Sequence, residues 1–406
     1  MARTTTSALG AAARAPARDT AIAVTKAPRW DALDLFRFAA VMLMVQGHTW
    51  YVVVDQAIRP ERWYRWHNYV HGYTAPMFMF ASGLAFGVTT FRRWDDHAYW
   101  GRPVLKRIER YLMIIGVGYL LHLPSFSMAS LDGASADALR NFLKVDALQV
   151  IGATLIGAEL LIVAVKRRGL YVTLVGAIAL GIVALAPWVH RLPVDAWLHP
   201  AFAGYLNSTT GSPFPLFPWA GFMGAGIVTA FFVQHAFDTG NARRLMGRLT
   251  AAGAALMSVA LLAGLADISI FGEHNFWKTN PIFFMWRVGV LLIVVAVFTL
   301  VAEALGRRGA PGPVRKTIQV MGMETLVIYV AHLLVLYGTP LNDGINHSVG
   351  EHLAIPQATL AVVVLFAAMT AFAWAWHLFK KRRPAQFFWT RMAMLTTLLG
   401  WVFLSH

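Results

Sequence analysis

Residues 35–50 read LFRFAAVMLMVQGHTW, an arginine and a histidine eleven positions apart with almost nothing but apolar residues between them. At about 100° per residue, eleven positions close three turns, so Arg37 and His48 share one helix face roughly 16 Å apart. Arginine is the natural bidentate partner of phosphate or carboxylate. Histidine carries protons near neutral pH. One face therefore offers an anion-holding group at one end and an acid/base group at the other, which suits a long anionic cofactor whose reactive end reaches the histidine. The same residues are also explained by an arginine that snorkels to lipid headgroups and a histidine bonded to a neighbouring helix.

Further ionisable residues fall in apolar runs. YVHGYTAPMFMFASGLAFG sets His71 at the start of the second run, and its small residues Ala81, Ser82, Gly83 and Gly87 permit close helix approach. In MGMETLVIYVAHLLVLYG, Glu324 and His332 are eight apart; the spacing predicts one shared face, with Glu324 about 12 Å nearer the cytosol. Asp34, Glu109, Arg110, His122, Asp146, Glu159 and Arg287 complete the set. Such residues are costly in a membrane and are functional candidates by default. A metal held by His48, His71 and His332 is an alternative, but no HxxxH or HxxE pair supports it and no metal is expected. The chain has no cysteine, which excludes disulfides and thiolate chemistry.

The elements that must position these residues are membrane helices. The chain is 57% hydrophobic and 14% charged, against about 25% charged in soluble domains. Eleven apolar stretches of roughly 20 residues lie at 33–54, 72–91, 105–124, 147–165, 170–188, 215–234, 249–267, 282–303, 319–338, 357–379 and 387–404. The fold class expected is an all-α, polytopic integral membrane protein with about 11 transmembrane helices (10–12). The segments on the N-terminal side of the bilayer hold 26 Lys and Arg and the opposite loops seven. By the positive-inside rule the N-terminus is cytoplasmic. The net charge of +15 thus reads as topology, and no nucleic-acid partner is expected. Residues 1–29, rich in Ala, Thr and Arg without an apolar core, read as a disordered cytosolic tail, and 30–406 as a single membrane domain. The opposite loops are longer and rich in Trp, Tyr, His and Asn, as an outer recognition surface or an interfacial aromatic belt would be.

Five ordered segments carry a resemblance. RWDALDLFRFAAVMLMVQGH resembles the opening of the heparan-α-glucosaminide N-acetyltransferase catalytic-domain family with its bacterial relatives, and of the related acyltransferase-3 family, whose first helix places Arg, ten residues, then His. His71, Pro76, Phe78, Phe80 and Gly83 match a second-helix His…Pro-x-Phe-x-Phe-x-x-Gly pattern. DALQVIGATLIGAELL, FPLFPWAGFMGAGIVTAFF and MGMETLVIYVAHLLVLYG look like the Leu-Gln-x-Ile/Leu-Gly, Phe-Pro-Trp and Gly-Met-x-Ser/Thr-Leu-x-x-Tyr-x-x-His segments of the first group. The likeness runs from about residue 29 to 340. In the animal enzyme the His48 position is similar to an Asn and the catalytic histidine lies further along, where His67 or His71 could stand. The luminal domain that precedes it there has no counterpart here, so heparan itself is not the expected acceptor.

The resemblance implies an enzyme that moves an acyl group, acetyl above all, from cytosolic acyl-CoA to an extracytoplasmic acceptor, a sugar hydroxyl or amine on a glycan or a lipid headgroup. The location implied is a bacterial cytoplasmic membrane, with a homodimer as one conceivable assembly. Arg37, Arg107 and Arg110 are candidates for the CoA phosphates. His48, His71 and His332 with Glu324 are candidates for catalysis, Glu324 orienting a histidine or pairing with Arg287. Asn280, Arg287, His67 and Trp219 are candidates for the oxyanion or the acceptor. The competing class is a transporter or flippase using the same Arg, Glu and His for anion or proton coupling; a structural or signalling role is a third. A transporter would favour an internal repeat, and none is visible.

Overall fold

The computed structural model describes residues 30–123, 133–266, 270–307, 309, 312–339, 342–387, 389–390 and 393. The proposed tail 1–29 and nearly all of the stretch 387–404 lie outside them. Contacts divide the chain into two units, Met1–Trp30 and Asp31–His406, and every described helix belongs to the second.

The sequence folds into α1 (Asp31–Val53), α2 (Arg62–His71), α3 (Thr74–Arg92), α4 (Trp94–Ala98), α5 (Arg102–Leu120), α6 (Ala136–Leu143), α7 (Ala147–Val165) and α8 (Arg168–Val189). After these come α9 (Pro200–Leu206), α10 (Leu216–Asp238), α11 (Ala242–Leu265), α12 (Phe276–Thr279) and α13 (Pro281–Gly306). The last are α14 (Pro313–Met323), α15 (Thr325–Tyr337), α16 (Ile345–Ser348) and α17 (Ile355–Arg382). A two-stranded hairpin, Gly338–Thr339 with Asn342–Asp343, follows α15. Helix starts are capped as their sequences ask: the Asn280 side chain accepts from the amides of Ile282 and Phe283 ahead of Pro281 at the first helical position, and Asp146 caps α7.

Seven segments among the described residues are long and apolar enough to cross a bilayer: 62–92, 147–165, 168–189, 216–238, 242–265, 281–306 and 355–382. The pair α14–α15, bent by 78°, would make an eighth. The expected eleven are therefore not reached among the described residues. The stretches at 33–54 and 105–124 do form helices, α1 and α5, but Arg37, Gln46 and His48 dilute the first, and Arg102, Lys106, Arg107, Glu109 and Arg110 charge the second. The expected single helix at 319–338 is instead broken at Glu324.

Helix α1 lies at the centre, packed against α3, α13, α14, α15 and α17. Val41, Met44, Val45 and Val52 of α1 are buried in one cluster with Met321, Ile328, Leu336, Leu365 and Met369. The α3–α10 contact is set by two glycines. A Cβ on Gly83 would stand 2.0 Å from the Met223 carbonyl oxygen, and one on Gly226 2.3 Å from that of Phe80; the backbones meet as small-residue helix pairs do in membranes. Leu180, Leu262, Leu265, Val363 and Val364 stay largely exposed on α8, α11 and α17, apolar surface of the kind a membrane covers. The chain is a multi-pass, all-α membrane protein.

Candidate active site

Three imidazoles meet where α1, the α2–α3 junction and α15 converge. The rings of His48 and His332 lie nearly parallel with centroids 5.2 Å apart, and His48 Nδ1 is 2.9 Å from His332 Nε2. His71 stands edge-on to His48 at 5.5 Å, and His67 stacks behind His71 at 6.2 Å. Gly47 makes this approach possible: a Cβ there would fall 1.8 Å from His71 Nδ1.

The partners dictate where the protons sit. His332 is fully buried and its Nδ1 is 2.9 Å from the Ile328 carbonyl, which can only accept. His332 Nδ1 is therefore the donor, and its Nε2 accepts from His48 Nδ1–H. That leaves the lone pair of His48 on Nε2. By the same reasoning His71 donates Nδ1–H to the Leu43 carbonyl at 3.3 Å and keeps its lone pair on Nε2. His67 donates Nε2–H to Gln46 Oε1 at 2.9 Å.

His48 and His71 line a cavity of about 1250 Å³ that follows α1 from Leu33 and Arg37 to Tyr51. Arg107 and Arg110 line it too, Arg107 bonded to Thr89 and Thr90 near the C-terminal end of α3, and so do Trp219, Trp277 and Arg287. Arg107 donates to Thr90 Oγ1 at 2.7 Å and pairs with the buried Glu159 at 3.0 Å. The break at Glu324 turns the start of α15 to the cavity, so that Thr325 and Leu326 line it.

Arg287 is nine-tenths buried. Its guanidinium lies 4.1 Å from the Phe283 ring centroid, it donates to the Trp277 carbonyl at 3.3 Å, and its Nε has no hydrogen-bond partner. Among the described residues no carboxylate pairs with it.

Other expected residues stand apart. Glu324 neither lines the cavity nor pairs with Arg287; it accepts from His377 at 3.0 Å and from Lys380 on α17. The expected face shared with His332 assumed an unbroken helix, and the break turns the carboxylate away. Asn280 is used by the α13 cap, donates to His274 Nε2 at 2.9 Å, and lines a small side pocket with Trp219 and Arg287 rather than the main cavity. His67 backs His71 without lining the main cavity.

Two acidic sites received no role from the sequence. Asp146 and His122 line the cavity, 3.3 Å apart. Burial alone would raise the Asp146 carboxyl; hydrogen bonding and charge from His122, with the Ala147 amide, outweigh it and hold the group below its ordinary value. The other is His97 with Glu159, 2.6 Å apart. Among the described residues no group of three or more His, Asp or Glu is arranged to hold a metal ion.

The family model described as "Heparan-alpha-glucosaminide N-acetyltransferase, catalytic" matches residues 29–275, more than half of the chain. No curated protein matches. The matched range holds His48, His71, Arg37, Arg107, Arg110 and Trp219; Arg287, Glu324 and His332 lie beyond it.

Proposed function

Because the chain belongs to the heparan-alpha-glucosaminide N-acetyltransferase catalytic family, we propose that it transfers an acyl group, acetyl in the first instance, from acyl-CoA entering on the cytosolic side to a hydroxyl or amine of an extracytoplasmic glycan or lipid. In this reading α1 and α5 are membrane helices whose polarity is the cost of lining the cavity, the N-terminus is cytoplasmic, and the membrane is the bacterial cytoplasmic membrane. The observation that carries it is a single cavity that joins three arginines, Arg37, Arg107 and Arg110, to the imidazole cluster.

Basic groups at one end suit the phosphates of CoA, and the N-terminus of α15 adds a positive dipole end at Thr325. The slender arm would run along α1. His48 Nε2 takes the proton of the acceptor hydroxyl or amine as its oxygen or nitrogen bonds to the thioester carbon. The tetrahedral intermediate collapses with cleavage of the C–S bond, and the imidazolium returns the proton to the departing thiolate. His332 shares the positive charge of His48 through their hydrogen bond and fixes its tautomer. Arg287 is the charged donor suited to the oxyanion or acceptor, since its buried Nε–H is unmatched; Asn280 is occupied by its cap.

Release of free CoA thiol by purified protein in detergent, with acetyl-CoA and a glucosamine acceptor, tests the reading. Turnover that survives both His48→Ala and His71→Ala would refute it. The broken α14–α15 pair is the one feature that favours a transporter. Thermal stabilisation by CoA, with none by candidate solutes, separates the two.

A further inference from the structure

Helix α4 is a five-residue helix in a short basic connection, yet Trp94, His97 and Ala98 are all buried. Trp94 stacks on Phe91 with centroids 6.0 Å apart, meets Tyr171 edge-on at 5.4 Å and donates to the Lys166 carbonyl at the end of α7 at 3.3 Å. This wedge drives His97 against Glu159, a carboxylate with no exposed surface. His97 Nδ1 lies 2.6 Å from Glu159 Oε1, and the other oxygen, Oε2, accepts from Arg107 at 3.0 Å. Thr90 accepts from the same guanidinium at 2.7 Å and Thr89 at 3.2 Å.

We infer that His97 and Glu159 are positioning residues for donor binding: a buried clamp that fixes the guanidinium of Arg107 against the cavity so that it meets the phosphates of the nucleotide end of CoA. The inference rests on the acyl-CoA reading above. Its physical logic is charge sharing. A lone buried carboxylate would hold Arg107 as a closed ion pair. With one oxygen engaged by His97 and the guanidinium shared with Thr90 and Thr89, Arg107 keeps its orientation and part of its field for a second anion. Neither His97 nor Glu159 lines the cavity, so both act through Arg107.

The test uses two donors on the full-length protein, acetyl-CoA and acetyl-pantetheine, which lacks the phosphates. His97→Ala is expected to raise KM for acetyl-CoA roughly tenfold, the worth of one charge-assisted hydrogen bond. It should leave kcat within about twofold and KM for acetyl-pantetheine unchanged. His97→Gln, which can still donate to Glu159, should restore the wild-type KM. Should His97→Ala fail to fold, Thr90→Val decides, with the same donor-selective rise of about threefold. An equal rise for both donors, or no rise, overturns the inference. Absence of wild-type turnover with either donor counts against the acyl-transfer reading alone, and CoA-induced thermal stabilisation then judges the clamp: present in wild type and weakened by His97→Ala supports it; absent or unchanged rejects it.

Discussion

At one end of the cavity three imidazoles, His48, His71 and His332, are held by uncharged hydrogen bonds that finish on the carbonyls of Leu43 and Ile328. Behind the cavity wall, by contrast, acidic side chains are met by opposite charge: Glu159 by the lining Arg107, and, away from the cavity, Glu324 by Lys380 and Asp31 by Arg315. The contrast separates two tasks. A proton carrier must keep one lone pair available, and the neutral hydrogen bond to His332 leaves that of His48 on Nε2. An anion-holding end must keep its cations oriented, and carboxylates do that well. If this division is right, substitutions at the imidazole end cost catalysis with little loss of stability, and those at the charged end cost stability or donor affinity with little loss of chemistry.

The largest break is His48→Ala. Removing the general base should lower kcat by about 10²–10⁴-fold while the thermal midpoint in detergent changes little, since the truncated ring faces a cavity. His332→Ala should fall between, roughly tenfold in kcat, because it releases the tautomer of His48 without removing the base. Thiol-release kinetics beside a thermal melt read both; equal loss in the two variants would assign the base role to the pair.

Gly47→Ala attacks the same end through packing. The added methyl would overlap His71, so the ring must leave the Leu43 carbonyl. The expected outcome is a loss of about 1–3 kcal/mol of stability, as for other overpacked sites, with kcat down by an order of magnitude. Wild-type kinetics and melting would mean that His71 does not occupy this position.

The charged end answers differently. Glu324→Gln leaves Lys380 and His377 with an uncharged partner. Lys380 is partly exposed, so the cost should stay near 1–2 kcal/mol, below that of a fully buried pair. The kcat of the folded fraction should hold within about twofold. A collapse of kcat with an intact melt would return Glu324 to the catalytic role that its spacing from His332 suggested.

That residue shows where sequence reasoning stops. Arg37, His48, His71 and His332 were legible because such side chains are rare in apolar runs and helical spacing relates them. Their meeting point was not, since three separate segments supply it and only tertiary packing brings His332 to His48. The face that Glu324 was expected to share with His332 was misread because eight positions make two turns only in an unbroken helix, and no proline marks the break. Polarity at the site also dilutes α1 and α5: both were read as apolar stretches, yet they are less apolar than the seven long helices, in part because they carry Arg37, His48, Arg107 and Arg110, which line the cavity. His97 escaped notice because a histidine among Arg and Asp in a short connection reads as a solvated turn; its burial comes from Trp94. Fold class followed from composition, since little but lipid accommodates so much apolar helix.

The smallest expected effect lies on the loop beyond the imidazole end. Leu353 bonds the backbone at the end of α1 through Val53 and Asp55, and the Glu351 carboxylate accepts from Gln56 at 2.5 Å and from Arg59 at 2.8 Å. Those two hydrogen bonds, from Gln56 first and Arg59 second, hold its carboxyl below the ordinary glutamate value. A carboxyl whose folded-state pKa is depressed contributes stability that is fully present above its unfolded pKa, about 4.3, and lost as pH falls through the lower folded value. The melting difference between wild type and Glu351→Gln should therefore be constant from pH 7 to pH 5 and shrink below that. Its size should be of the order of 1 °C, because exposed ion pairs contribute little. A difference that grows on acidification would show that the carboxylate strains the loop rather than tethering it.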